Sequence, residues 1–135
     1  MQLKPDPLED RLKVRMHAKG LPVEVRFLNT EEGGRRSPAN LADGRYRPLV
    51  ILGFHDTLPP LPTSEAEAEK AGLFGVMLVE GPPEVPPGSN AVAELLVPMY
   101  EPGYERLKAA QEFTLLEGPR IVGHGRLCEG GARAV

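Results

Sequence analysis

Pro22-Val-Glu-Val-Arg-Phe27 carries the clearest strand pattern of the chain and decides the fold class. The apolar residues Val23, Val25 and Phe27 alternate with Pro22, Glu24 and Arg26. A strand has this pattern when one face of its sheet is buried and the other is exposed to water. The strand is followed by Glu31-Glu-Gly-Gly-Arg-Arg36, in which two consecutive glycines can adopt the positive φ of a turn. We therefore predict a sheet whose strands are joined by glycine-rich turns.

Further along the chain, similar signals predict more strands. Arg45–Phe54 is the second, and it should begin at an edge or bulge at Pro48, because proline cannot donate to a ladder. Phe113–Leu116 and Arg120–Leu127 flank Glu117-Gly118-Pro119, which predicts a hairpin. The remaining predicted strands are Phe74–Glu80 and Ala91–Pro98. About six strands in a chain this short indicate a sandwich or a small closed barrel, and closure would hide the sheet edges.

Glycine and proline are unusually frequent, with 15 of each among 135 residues. A helical bundle is nearly excluded, because an interior glycine costs a helix roughly 1 kcal/mol and an interior proline roughly 3 kcal/mol. Disorder is disfavoured, because 41% of the residues are hydrophobic and they occur in runs. The length suits a single all-β domain, which we assign to residues 1–127.

Residues 58–73 form a proline-rich and acidic insertion between the predicted strands. Ser64 and Glu67 make a capping-box sequence, and Gly72 stands where a helix C-cap belongs. A short helix over residues 65–71 is therefore predicted. Alanine is its only apolar residue type, so we expect it to lie on the surface.

The two ends of the chain carry weaker signals. Asp6-Pro7-Leu8-Glu9 predicts a short helical turn over residues 7–11. Residues 12–20 then alternate as an N-terminal extension or strand, although a helical spacing of leucine and methionine competes with this pattern. Residues 100–111 predict a loop or short helix. Residues 128–135 have no pattern and are predicted to be a flexible tail.

The net charge of −3 is unevenly distributed along the chain. Residues 1–50 carry +3, residues 51–105 carry −8 and residues 106–135 carry +2. This asymmetry is compatible with a basic face that binds an anionic partner, although a solvated surface is the more common explanation.

The sequence favours a cytoplasmic location without a membrane partner. No apolar run approaches the roughly 18 residues of a membrane span, and Met1-Gln-Leu-Lys-Pro-Asp6 lacks the apolar stretch of a signal peptide. Cys128 is the single cysteine, so no intrachain disulfide can form, as is usual in a reducing compartment.

Sequence motifs for catalysis and cofactor binding do not occur. Gly33-Gly34 and Gly123-His-Gly125 are predicted to be hairpin glycines, and neither carries the Lys-Ser/Thr pair of a phosphate loop, so GTP binding is not expected. No Gly-x-Ser-x-Gly nucleophile motif is present. We therefore expect a protein that is not an enzyme and that holds no cofactor.

The histidines leave one alternative open. His17, His55 and His124 are far apart in the sequence and lack the spacing of metal ligands. A barrel could still assemble His55, Asp56 and His124 into a small-molecule or metal site inside it or at its mouth. His55 and His124 are therefore weak metal-ligand candidates.

Arginine residues are the more suggestive feature. They come from turns and strand starts that a barrel could bring to one end, where guanidinium groups bind phosphates or carboxylates well. Dispersed surface arginines that balance nearby glutamates are the alternative. The set comprises Arg35, Arg36, Arg45, Arg47, Arg120 and Arg126.

Four segments, in this order, resemble the third, C-terminal domain of elongation factor Tu. The strand and turn of residues 23–36 are followed by Tyr46-Arg-Pro48, as that family's Glu-Glu-Gly-Gly-Arg-His and Gly-Tyr-Arg-Pro motifs follow one another. Pro87-Gly-Ser-Asn90 is similar to the family's Pro-Gly-Asp-Asn turn, and residues 113–125 are similar to its closing hairpin. The resemblance covers roughly residues 21–127 and implies a closed six-stranded antiparallel β-barrel.

The resemblance implies binding rather than catalysis. In elongation factor Tu this domain packs on a GTPase domain and helps to bind the T-stem of aminoacyl-tRNA. Glu117, Gly118 and Arg120 match hairpin positions of the family, of which the first two approach tRNA. Other positions depart from the pattern, because Leu49 replaces a glutamine on the tRNA side and residues 53–56 lose the arginine of an Arg-Thr-Thr-Asp motif.

Three hypotheses follow. The first is a non-catalytic binding module, in a translation-related process, that docks on a protein partner. The second is an accessory protein that binds tRNA or another RNA, and the third is the histidine site described above. For the first two, the candidate binding residues are Arg35, Arg36, Arg45, Arg47, Glu117, Gly118 and Arg120.

Overall fold

The computed structural model describes residues 18–98 and 103–128. Within these ranges the chain forms seven strands and two short α-helices. The strands are β1 (Ala18–Phe27), β2 (Leu49–Leu52), β3 (Leu73–Gly75), β4 (Met77–Val79), β5 (Asn90–Pro98), β6 (Glu112–Glu117) and β7 (Arg120–Leu127). The helices are α1 (Glu65–Ala71) and α2 (Gly103–Ala110), and Thr30–Glu32 form a single 3₁₀ turn.

The strands form one antiparallel sheet in the order β3-β2-β6-β7-β1-β5-β4. β1 lies between β5, with Cα pairs from Ala18↔Pro98 to Arg26↔Asn90, and β7, which pairs with its second half. The sheet curls into a half-barrel. The all-β prediction is therefore confirmed at the level of antiparallel strands with two short helices.

The predicted closed six-stranded barrel is wrong in strand number and in closure. The predicted strand over residues 74–80 is interrupted at Val76, whose amide donates to the carbonyl oxygen of Pro48 at 3.1 Å. The two halves then pair with different strands, β3 with β2 and β4 with β5. As a result, β3 and β4 stand at the two ends of the strand order although one residue separates them in the chain.

The main hydrophobic core packs against one face of the sheet. Val23, Val25 and Phe27 are fully buried on one face of β1, which confirms the alternation predicted from the sequence. Phe113 and Leu115 of β6 belong to the same buried cluster. Burial of these side chains provides the main stabilisation of the sheet, at about 1.5–3 kcal/mol for each fully buried large apolar residue.

The insertion leads directly into β3 and also contacts α2. Ser64 Oγ accepts from the Glu67 amide at 3.1 Å, and Gly72 ends α1 with a φ of 74°, so the predicted helix and its two caps are confirmed. The second hydrogen bond of the predicted capping box is replaced, because Glu67 Oε1 accepts from the Thr63 amide at 3.2 Å. Arg106 of α2 donates to the carbonyl oxygen of Glu69. No residue of α1 is buried, as its alanine-only apolar face predicts.

One of the predicted strands is corrected, and another is as expected. The strand expected over Arg45–Phe54 is present only as β2, which begins directly after Pro48. Gly123 and Gly125 lie inside β7, in agreement with the strand predicted over Arg120–Leu127. Glycine is required at both positions, because a side chain at Gly123 would collide with the backbone of β1 and one at Gly125 with the ring of Phe113.

Some predicted segments fall outside the described residues. The helical turn over residues 7–11 and the extension over residues 12–17 belong to these, as do residues 129–135 of the predicted tail. Cys128, the first residue of that tail, is half-buried, and its amide donates to the carbonyl oxygen of Pro22 at 2.9 Å.

In the described ranges, neither helix has the length and apolar character needed to cross a membrane.

The close contact at Gly123 predicts that a larger residue at this position destabilises the fold. In the variant Gly123→Ala, the new Cβ would lie 2.7 Å from the carbonyl oxygen of Arg26 and 3.2 Å from the Cα of Phe27. Because both atoms belong to a paired backbone, we expect a loss of about 1–3 kcal/mol in the free energy of unfolding, measured by urea denaturation.

Gly75→Ala is the matched control, since Gly75 is also a strand glycine. Its new Cβ would have Leu49 Cδ2 as its nearest neighbour, at 4.0 Å. We expect a change within about 0.5 kcal/mol. Equal effects of the two substitutions would contradict the close approach of β7 to β1.

Candidate functional site

The β6–β7 hairpin presents several of the predicted site residues at its tip. β6 ends at Glu117, β7 begins at Arg120, and Gly118 and Pro119 form the two-residue turn. Gly118 has a φ of 60°, a conformation that glycine adopts without strain. Glu117 and Arg120 are a cross-strand pair, so their side chains leave the same face of the hairpin.

The carboxylate of Glu117 joins three separate parts of the chain. Its Oε2 atom accepts a hydrogen bond from the hydroxyl of Tyr46 at 2.6 Å and an ion-paired hydrogen bond from the guanidinium of Arg35. The guanidinium carbon of Arg35 also lies 5.2 Å from the centroid of the Tyr46 ring. We call Arg35, Tyr46 and Glu117 the Glu117 cluster.

The loop that carries Arg35 is fixed by local interactions. Asn29 and Glu32 form a reciprocal capping box at the 3₁₀ turn, with hydrogen bonds of 2.8 and 3.0 Å. Gly33 follows with a φ of 95°. Gly34 is buried, and a Cβ at this position would overlap the backbone of Leu28. The two glycines of the sequence motif therefore allow the chain to turn tightly and direct Arg35 towards Glu117.

The backbone also holds the Arg35 side chain. Its Nε donates to the carbonyl oxygen of Ser37 at 3.1 Å, and its Nη2 donates to that of Pro38 at 3.3 Å. Both Arg35 and Glu117 are mostly removed from solvent, with exposed side-chain fractions of 20% and 28%. An ion pair with these additional hydrogen bonds keeps a single geometry better than an exposed pair does.

Tyr46 is the member of the cluster that the sequence reasoning did not single out for a role. Its ring is buried, and its centroid lies 5.9 Å from that of Phe27. Burial raises the pKa of the Tyr46 phenol far above its ordinary value, and the hydrogen bond to the Glu117 carboxylate raises the pKa further. The phenol is therefore a permanent donor to Glu117 at neutral pH.

The other predicted arginines have different environments. Arg36 and Arg120 are exposed, and their side chains make no hydrogen bond or ion pair within the described residues. Arg45 is paired with Asp43 at 2.9 Å. Arg47 Nε donates to the carbonyl oxygen of Gly44 at 3.0 Å.

The structure therefore brings together only part of the predicted arginine set. Arg35 and Glu117 are in direct contact, and Gly118 and Arg120 belong to the same hairpin. Arg36 follows Arg35 in the chain. Arg45 and Arg47 instead interact with Asp43 and Gly44 in their own segment.

The two histidine candidates are also in contact, but each ring binds a backbone carbonyl oxygen and not the other ring. His124 Nε2 donates to the carbonyl oxygen of His55 at 2.7 Å, and His55 Nε2 donates to that of Leu52 at 2.9 Å. Both Nε2 atoms must carry a proton, because a carbonyl oxygen only accepts. Asp56 is exposed and makes no hydrogen bond to either ring. Among the described residues, no three His, Cys, Asp or Glu side chains are grouped to hold a metal ion.

Beside His124, a cavity of about 250 Å³ opens on the outer face of the sheet. Phe54, which is 59% exposed, stacks on the His124 ring at a centroid distance of 4.0 Å and an interplanar angle of 18°. Charged residues also line the cavity. They are Glu24, Arg26, Glu112 and Arg126.

Sequence reasoning identified only His124 and Arg126 of this lining. Alternation shows which residues of one strand share a face, but the cavity depends on the register between four strands. Arg26 and His124 are Cα partners, as are Glu112 and Arg126. Nothing in the sequence signals these pairings.

No protein-family model and no curated protein sequence matches the chain. The relation to the third domain of elongation factor Tu therefore stays a proposal that rests on the four sequence segments.

The raised pKa of Tyr46 predicts a specific alkaline instability. The unfolded chain releases the phenolic proton near its ordinary pKa of about 10, whereas the folded protein retains it. The contribution of the phenol to stability is therefore complete below about pH 10 and is lost as the pH rises further. We expect Tyr46→Phe to lower the free energy of unfolding by about 1–2 kcal/mol at pH 8, and this difference from the wild type to shrink above pH 10.

Tyr104→Phe is the control for this titration. The hydroxyl of Tyr104 makes no hydrogen bond within the described residues, and the variant retains the ring beside Lys19 and Lys108. Its stability should follow that of the wild type across the same pH range, measured by urea denaturation. A constant difference between Tyr46→Phe and the wild type at every pH would contradict the assignment.

Proposed function

We propose that this protein is a non-catalytic binding module that docks on an acidic surface of a protein partner. The binding surface is the tip of the β6–β7 hairpin together with the loop that carries Arg35 and Arg36. The observation that carries the proposal is that Arg36 and Arg120 are exposed and unpaired among the described residues, directly beside the fixed Glu117 cluster.

The chemistry of these two residues favours a carboxylate-bearing partner. Guanidinium groups present a planar fork of donors that matches a carboxylate, and such charge-assisted hydrogen bonds are stronger than neutral ones. Arg35 is already occupied by Glu117, and Arg45 by Asp43. Within the part of the chain that the structure describes, Arg36 and Arg120 are therefore the unpaired cations of this surface.

Preorganisation also supports binding at this surface. The Glu117 cluster joins the loop to the hairpin, and the Asn29–Glu32 capping box fixes the beginning of the loop. A surface that is ordered before binding loses less conformational entropy when the complex forms. The backbones that carry Arg36 and Arg120 are thus held in place before a partner arrives.

The segments that resemble elongation factor Tu converge at this end of the molecule. Arg35, Tyr46 and Glu117 come from three of the four segments and contact one another directly. The fourth reaches the same loop, because the Gly88 amide donates to the carbonyl oxygen of Leu28 at 3.2 Å. This convergence supports the proposal that the chain is related to that domain and has a translation-related role.

RNA, and tRNA in particular, is the second candidate partner. The same unpaired guanidinium groups favour it, because they bind phosphates as well as carboxylates. Glu31 and Glu32 are exposed in the adjacent 3₁₀ turn, and the net charge is −3. These negative charges make an extended phosphate backbone the less suitable partner.

The two partners can be distinguished by affinity capture from a native lysate of the source organism. Tagged wild-type protein and the double variant Arg36→Ala/Arg120→Ala are compared by quantitative mass spectrometry, with and without ribonuclease. We expect one stoichiometric protein that resists ribonuclease and is lost with the double variant. Capture should also weaken with salt, because exposed ion pairs are screened.

Lys70→Ala/Lys108→Ala is the matched control, because it removes the same charge from the two helices and leaves the hairpin unchanged. This control should retain the partner. Absence of a stoichiometric partner, or its retention by the arginine double variant, would contradict the proposal. A complex that ribonuclease destroys would support RNA instead.

A further inference from the structure

The cavity on the outer face of the sheet is a second feature with binding chemistry, separate from the Glu117 cluster. Its lining comes from adjacent strands and from the segment after β2, which supplies Phe54. Asn90, Arg26 and His124 stand in one row across β5, β1 and β7. Glu24, Arg126 and Glu112 stand in the neighbouring row across β1, β7 and β6.

The charges in the second row are partly neutralised within the protein. Arg126 donates to Glu24 Oε1 through both Nε, at 3.1 Å, and Nη2, at 2.9 Å. Arg26 and Glu112 make no hydrogen bond or ion pair within the described residues. The cavity therefore presents one unpaired cation and one unpaired anion.

These unpaired charges lie on different sides of the cavity. Arg26 is on β1 and Glu112 is on β6, with β7 between them, and they are offset by two residues along the strands. Strand spacing and rise place their Cα atoms about 12 Å apart. Both side chains point to the same face and line the same cavity, so one small ligand can contact both.

We propose that this cavity binds a small ω-amino carboxylate, a zwitterion whose ammonium and carboxylate groups are separated by a few methylene groups. The carboxylate contacts the guanidinium of Arg26, and the ammonium contacts the carboxylate of Glu112. A simple anion would meet Glu112 as an uncompensated like charge, and a simple cation would meet Arg26 in the same way.

The remaining lining fits the body of such a ligand. Phe54 provides an exposed aromatic surface against which methylene groups can pack. His124 supports this ring by stacking and is itself oriented by the hydrogen bond to His55. A volume of about 250 Å³ is below the roughly 300 Å³ at which drug-sized ligand sites begin, so the ligand must be small.

The site does not depend on the proposed function. None of its lining residues belongs to the Glu117 cluster, and neither Arg36 nor Arg120 contributes to it. Loss of partner docking and loss of ligand binding are therefore separate outcomes that separate variants produce.

The test is an NMR titration of the full chain with 5-aminopentanoate, followed through the backbone amides of Arg26, His124 and Gly125. Pentanoate and pentylamine have the same chain length and carry one charge each. We expect saturable shifts with 5-aminopentanoate, with a dissociation constant in the millimolar range. Each singly charged compound should bind at least about tenfold more weakly. Equal binding of pentanoate or pentylamine would overturn the proposal, as would the absence of saturable shifts with 5-aminopentanoate.

Variants assign the two contacts. Arg26→Gln and Glu112→Gln should each weaken the binding of 5-aminopentanoate by about tenfold. Both residues are exposed and unpaired within the described part of the chain, so the amide spectra should otherwise retain the wild-type pattern. Lys70→Gln and Glu84→Gln change the same charges outside the cavity and should leave the affinity unchanged. Unchanged affinity in Arg26→Gln or Glu112→Gln would contradict the assignment.

Discussion

One carboxylate, that of Glu117, connects regions that are far apart in the sequence. It accepts hydrogen bonds from Arg35, which lies 82 residues earlier, and from Tyr46, which lies 71 residues earlier. A partly buried carboxylate has a high desolvation cost unless it is paired, and here a guanidinium and a phenol supply the partners. The loop after β1 is thereby held against the tip of the hairpin, and the proposed docking surface consists of these two parts.

The curled sheet creates two distinct surfaces from the same strands. At the hairpin tip, the Glu117 cluster uses Arg35 internally and leaves Arg36 and Arg120 to a partner. On the outer face, the Arg126–Glu24 pair leaves Arg26 and Glu112 unpaired. In both places an ion pair within the protein uses some of the charges, and the neighbouring unpaired charges provide the binding chemistry. The total charge of −3 does not reveal either of these charged surfaces.

Local signals in the sequence were sufficient to predict local structure. The alternation around Val25 predicted β1, Gly118-Pro119 predicted the hairpin turn, and Ser64 with Gly72 predicted the limits of α1. Each of these signals depends on residues within a few positions of one another. They were therefore readable without knowledge of strand register.

The parts of the fold that depend on register and long-range contact could not be predicted. The strand expected at residues 74–80 is split because the Val76 amide donates to the carbonyl oxygen of Pro48. An uninterrupted apolar run gives no sign of this break. Gly123 is required by the close approach of β1, and the sequence does not indicate this contact. Arg35 and Glu117 were both candidates for contacts with a partner, and the sequence did not indicate that they contact each other.

The Arg35–Glu117 contact is the central element of this account, and a double-mutant cycle tests it most directly. The free energy of unfolding is measured for the wild type, Arg35→Ala, Glu117→Ala and the double variant. If the ion pair joins the loop to the hairpin, the two effects are coupled by about 1 kcal/mol or more. Additive effects, within about 0.3–0.5 kcal/mol, would show that the loop and the hairpin are held independently and would contradict the account.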